Sequence, residues 1–185
     1  MEIKGTAVRS IPEFVEKQFP TRFKEWLDTL PEESNKIMGG LIFTSNWYPL
    51  KEALVMPMKT ISKLFYGGDD KKTALVMGRF SADIVLTGIY KFFIQLGSPR
   101  YIIERGGRVF DTYFRPTEVA IINSKRNNVI MHITKFPEPD EIVEYNIAGW
   151  IQRALEISGC KQVNIEITKS LSRNDNVTEF NIHWA

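Results

Sequence analysis

The chain has 185 residues, enough for one domain at roughly 150 residues per domain, and a core of useful size. Hydrophobic residues make up 43% and charged residues 25%, the proportions of an ordinary soluble globular protein. A net charge of +2 gives no basis for nucleic-acid binding, one cysteine excludes an internal disulfide framework and a Cys-based zinc site, and two histidines leave little for a metal centre.

The start, Met1-Glu2-Ile3-Lys4-Gly5, lacks the apolar stretch of a signal peptide. The longest uncharged run, Ile37 to Leu50, is 14 residues, against about 20 for a membrane-crossing helix. A cytoplasmic protein without a membrane span is expected. Phe14 to Phe19, after Pro12, suits a short helix. Thr21 is placed to cap a second, running through Leu30 with Phe23, Trp26, Leu27 and Leu30 on one face and Pro31 as its stop. Asn46-Trp47-Tyr48-Pro49 reads as the entry to a third helix, with Leu50, Ala53, Leu54, Ile61, Leu64 and Phe65 as its stripe and Pro57 splitting it.

Gly67-Gly68-Asp69-Asp70 breaks the chain before a long helix, about Lys71 to Leu96. Its seam is Leu75, Gly78, Ala82, Val85, Ile89, Phe92 and Leu96. Ser98-Pro99 opens another helix towards Tyr113. From Arg115 the period changes to two. Val119–Ile122 and Val129–Ile133 form a hairpin across Lys125-Arg126-Asn127-Asn128. Asp140 opens a helix with the seam Val143, Ile147, Trp150, Ala154 and Ile157, and Gly159 stops it. Strands around Val163–Ile167 and Phe180–Trp184 follow. The expected fold class is α+β: one domain over 1–185, with a mainly helical part (1–114) packed on a β-β-α-β-β part (115–185) whose four-stranded sheet is antiparallel.

Catalytic chemistry finds little support. Cys160 follows a helix C-terminus, where partial negative charge raises a thiol pKa. His132 and His183 fall on strands, and no Gly-x-Ser-x-Gly elbow is present. The Gly-Gly pairs at 39–40, 67–68 and 106–107 do not continue as phosphate loops. Arg100, Arg105, Arg108 and Arg115, interleaved with aromatics, suit a solvated helix face better than a nucleic-acid groove. No enzyme, no metal and no nucleic-acid partner is expected. The aromatic residues are the remaining signal. They predict a core that encloses a pocket for a small, mostly apolar ligand, bounded by Trp47, Tyr48, Phe92, Tyr113, Phe114 and Trp150.

Several segments together resemble a poorly characterised bacterial family expanded in myxobacteria. They are Ile3-Lys4-Gly5, Trp47-Tyr48-Pro49-Leu50, Gly88-Ile89-Tyr90-Lys91-Phe92-Phe93, Leu96-Gly97-Ser98-Pro99, Ala148-Gly149-Trp150 and the ending Glu179-Phe180-Asn181-Ile182-His183-Trp184. The C-terminal half is distantly similar to a ligand-binding superfamily of heme–nitric-oxide-binding domains, 4-vinyl-reductase sensory domains and TRAPP vesicle-tether subunits. The resemblance implies a sensory or assembly role without catalysis. The heme-binding branch carries a histidine on the helix before the first strand and a Tyr-x-Ser-x-Arg motif before the last helix. No histidine precedes His132 here, and the matching segment, His132-Ile133-Thr134-Lys135-Phe136, has neither the tyrosine nor the arginine. No cofactor is therefore assigned.

Two readings stand ahead of a heme-based gas sensor. A regulatory domain with an apolar ligand should enclose a cavity above about 300 Å³. A scaffold of the vesicle-tether type, forming a homodimer or recruiting a partner, should have a filled core and an exposed apolar patch.

Overall fold

The computed structural model describes residues 1–86, 110–125 and 127–185. It is an α+β fold, as expected. Two antiparallel sheets, of three and four strands, are present among the described residues.

The small sheet ties the chain's start to two distant segments. Strand β1 (Glu2–Lys4) lies between β2 (Trp47–Pro49) and β3 (Phe114–Arg115), with Ile3 opposite both Tyr48 and Phe114. Trp47-Tyr48-Pro49 is thus a strand, not the entry to a helix. A residue before proline avoids the helical region, aromatics suit a strand, and Pro49 is tolerated because β2 is an edge. The helix begins only after it. A wide π-type turn (Lys51–Val55) leads into α5 (Met56–Phe65), and the expected break falls where Pro57 removes a backbone N–H. The Pro57 carbonyl accepts the indole N–H of Trp26 at 3.3 Å, and Trp26 is fully buried.

Before this segment lie α1 (Gly5–Val8), α2 (Ser10–Gln18), α3 (Phe23–Thr29) and α4 (Glu32–Met38). The first helical stretch starts well ahead of the expected Phe14. Thr21 does not cap α3: it sits inside a 3-10 turn, Pro20–Arg22, and the helix start makes no side-chain cap bond. An N-cap needs an extended backbone, which a residue within a helical turn does not have. Pro31 ends the run as expected and opens α4, an element the sequence pattern did not announce.

Helix α6 (Asp70–Leu86) begins after Gly67 and Gly68, both at positive φ, and Asp69 Oδ1 accepts the Lys72 N–H at 2.9 Å. Up to Ala82 its buried residues come in pairs one turn apart: Thr73 and Ala74, Met77 and Gly78, Ser81 and Ala82; Leu86 is also buried. The expected seam is buried at Gly78 and Ala82 but only half-buried at Leu75 and Val85, because α6 is covered on two sides. Ile89, Phe92, Leu96 and the helix expected from Ser98 lie outside the described residues, apart from the helical stretch 110–113.

The C-terminal half follows the expected β-β-α-β-β order. Strands β4 (Glu118–Lys125) and β5 (Asn128–Lys135) form the hairpin, α7 (Glu141–Ile157) follows, then β6 (Asn164–Lys169) and β7 (Thr178–His183). The sheet order is β4-β5-β7-β6, and every pairing is antiparallel. Val129, Met131, Ile133, Phe180 and Ile182 form the buried face, and Trp184 just past β7 is also buried. Each such side chain stabilises by about 1.5–3 kcal/mol relative to exposure. Asp140 caps α7: its Oδ1 accepts the Ile142 N–H at 3.0 Å while Oδ2 accepts Lys59 Nζ at 2.6 Å, which joins α5 to α7.

Candidate functional site

The two halves of the chain meet around an apolar cavity of about 90 Å³. Its wall draws on β1, α1, α2, α5 and α6 from one half, and on β5 and α7 from the other. Ile3 and Ile11 line it from β1 and α2; Ile147, Ile151 and Leu155 form the α7 side. Three of the chain's six methionines, Met58, Met77 and Met131, face it from α5, α6 and β5, and all three are buried. None of the described lining residues is charged. Ser10, Ser81, Tyr113, Asn146 and the Trp150 indole carry the polar side-chain atoms among the described lining residues. The Ser10 hydroxyl is spent on the Ala7 carbonyl at 2.7 Å, and the Asn146 side-chain amide donates to the Ala74 carbonyl at 3.4 Å. Such a wall holds apolar matter and orients it through few polar contacts.

Tyr113, Phe114 and Trp150, three of the six aromatics expected at the pocket, line this cavity. Trp47 and Tyr48 do not line it. They stand on β2, where Trp47 is flanked by Lys4 Nζ at 4.7 Å and the Arg115 guanidinium at 4.1 Å from its ring centre. The Tyr48 hydroxyl accepts the Phe43 N–H at 2.9 Å. Phe92 lies outside the described residues. The methionines and Asn146 were not anticipated. Asn146 precedes Trp150 by one helical turn, so it shares that face, and Met131 stands with Val129 and Ile133 on the inward side of β5. Asn146 was readable once Trp150 had been placed, and Met131 from the alternation of β5.

The α6–α7 contact fixes one wall. Gly78 and Gly149 let the two backbones touch: a Cβ on Gly78 would lie 2.0 Å from the Asn146 carbonyl oxygen, and one on Gly149 2.4 Å from that of Leu75. Beside the crossing, Arg79 donates two bonds of 2.7 Å to Glu156, and Arg153 bonds Asp83 at 2.7 Å and Glu156 at 3.1 Å. The Arg79 guanidinium, with help from Arg153, holds the Glu156 carboxyl below its usual range. Asn146 and Trp150 are carried on this stiff pair.

Other reactive groups lie elsewhere. His132 Nε2 meets Glu179 Oε2 at 2.6 Å on the sheet face opposite the cavity. Thr168, then His132 and Lys169, hold the Glu179 carboxyl down to about 2. Burial pushes the Cys160 thiol up, a different cause from the expected helix-end charge but the same direction. Glu144 is a buried carboxylate of α7 that takes hydrogen bonds from Ser170 and Thr178 at 2.5 Å and from Ser172 at 3.0 Å, which locks the β6–β7 connection. Among the described residues no three His, Cys, Asp or Glu side chains gather as a metal site, and no helix is long and apolar enough to cross a membrane.

No protein-family model and no curated protein sequence matches the chain. Solved structures do. An unliganded Fe(II) H-NOX protein from K. algicida is 12% identical at a TM-score of 0.71, over 99% of this chain and 97% of its own. An H-NOX protein from S. oneidensis in the Fe(II)NO ligation state gives 10%, 0.75, and 99% of both chains. The IWP-051-bound H-NOX from Shewanella woodyi, in the Fe(II)CO ligation state, gives 14% and 0.69 over 98% and 94%. From end to end, this chain has the fold of the H-NOX domains.

Proposed function

We propose that this protein is a non-enzymatic regulatory domain of the cytoplasm that binds a small, mostly apolar ligand. The observation that carries the reading is the apolar cavity between the two halves, lined by Tyr113, Phe114 and Trp150. The H-NOX fold supports it, since two of the similar structures are of proteins described in gas-ligated states, and so does the sensory role implied by the resemblance to the wider superfamily. At about 90 Å³ the cavity is well below the 300 Å³ expected, so the guest is smaller than a drug-sized molecule. A guest held by elements of both halves would stabilise their contact, which is how a ligand biases a conformational equilibrium.

Native mass spectrometry of freshly purified protein tests this. A small molecule retained by the wild type and lost in Ala154→Leu, which places a larger side chain on the cavity wall, supports the site. Retention in both proteins moves the ligand elsewhere.

Leu41 (77% exposed) and Phe43 (54%) on the loop before β2 favour a second reading, a scaffold that forms a homodimer or recruits a partner. Sedimentation of the wild type and of a Leu41→Ser/Phe43→Ser variant decides it: a dimer that dissociates in the variant supports the scaffold.

A further inference from the structure

The H-NOX neighbours are described as Fe(II) proteins, and the resemblance to heme-binding domains makes heme the cofactor to test against these residues. The fit fails on three counts. The chain's two histidines both stand on the sheet face opposite the cavity: His132 is bonded to Glu179 at 2.6 Å, and His183 is exposed beside Asn128. No described residue on the cavity wall carries a positive charge to pair with the heme carboxylates. The space, about 90 Å³, is far below the 300–1,000 Å³ or so of pockets that bury larger ligands. Met58, Met77, Met131 and Tyr113 remain as donors, but a thioether serves heme iron chiefly as the partner of a histidine, and no imidazole reaches this side of the sheet.

We infer that this chain uses the H-NOX fold without iron, and that its cavity takes a compact, uncharged apolar molecule no larger than a benzene ring. The inference rests on the ligand-binding reading above and names the class of guest. An enclosed apolar cavity of about 150 Å³ stays dry and accepts benzene or xenon, and this one, partly open and about 90 Å³, is of the same order. Its three thioethers suit such a guest: methionine is unbranched and polarisable, so Met58, Met77 and Met131 can shift to fit around it, where branched side chains would not. The described wall offers an ion no charged partner, which favours an uncharged guest.

The methionines also provide the test. With ¹³C-methyl-methionine in the full chain, each resonance is assigned by a single Met→Leu substitution, and the protein is equilibrated with xenon, with benzene, and separately with hemin. Xenon or benzene is expected to move the methyls of Met58, Met77 and Met131 and to leave those of Met1, Met38 and Met56 in place. The movement should be lost in Ser81→Leu and in Ala154→Leu, two substitutions on different walls, with the three methyls away from the cavity reporting that each variant is folded. Hemin should give no stoichiometric Soret band. A stoichiometric Soret band altered by Tyr113→Phe or Met77→Leu overturns the metal-free inference while leaving the cavity a binding site. Movement that persists in both leucine variants, or no movement with either apolar probe, overturns the proposed guest. A polar ligand found by native mass spectrometry in the second case would fail the guest class alone, and an absence of any ligand would fail the ligand-binding reading too.

Discussion

Helix α6 has two buried sides of opposite character. Towards α7 the backbones touch, with Gly78 against Asn146 and Gly149 against Leu75, and no side chain fits between them. Towards the cavity, the same helix presents Met77 and Ser81 to unfilled space. The sides differ in what they tolerate: one forbids a methyl group, and the other has room for several. A rigid contact next to an adaptable one lets a guest be accommodated without disturbing the crossing that positions Asn146 and Trp150.

The largest effect should come from closing the tight side. Gly78→Ala and Gly149→Ala are each expected to cost about 3 kcal/mol, because the added methyl meets backbone that cannot rotate away. Urea unfolding measures this, and a gain of about 1 kcal/mol, as for Gly→Ala in an uncrowded helix, would show the crossing to be loose. Glu144→Ala comes next, at about 2 kcal/mol, since it leaves the hydroxyls of Ser170 and Thr178 buried without their acceptor. Hydrogen exchange should quicken at Leu171–Arg173 before it does at α6. On the open side the sign reverses: Ser81→Leu should raise stability by about 0.5–1 kcal/mol by filling space. A loss as large as that at Gly78 would mean the two sides do not differ.

The smallest effect is one of pH. The folded pKa of Glu179 is about 2, below its unfolded value, so the unfolded state binds the proton more readily. Its stabilisation is complete above the ordinary carboxylate range and fades as pH falls through that range towards about 2. The difference in Tm between wild type and Glu179→Gln should shrink over that interval. A difference that stays constant would remove Glu179 from the acid response. It lies across the sheet from the cavity, so Ser81→Leu should leave this profile unchanged.

The C-terminal half was legible because its elements are long and periodic. Val129, Met131 and Ile133 alternate with Ile130 and His132, while Asp140 and Gly159 bracket α7 within a residue or two. The small sheet was not legible. Strands β1, β2 and β3 have two or three residues each, too few for a period, and they join positions more than forty residues apart. That pairing removed Trp47 and Tyr48 from the pocket: both are large aromatics, but their surroundings are set by Lys4, Arg115 and Phe43, which sequence proximity does not connect. At the cavity, the aromatics Tyr113, Phe114 and Trp150 stood out by type. Met58 and Met77 did not, because a methionine facing a cavity and one filling a core have the same sequence signature.

The order β4-β5-β7-β6 constrains how this protein is made. The ribosome releases β7 after all three of its sheet companions, yet β7 belongs between β5 and β6. Until residues 178–183 emerge, the hairpin and β6 each present a bare edge of N–H and C=O groups to their surroundings. The helices can form during synthesis, but the large sheet closes only when its centre arrives last. Premature termination within β7 would therefore remove the middle of the sheet and leave two sticky edges, which makes such fragments natural clients for chaperones or proteases.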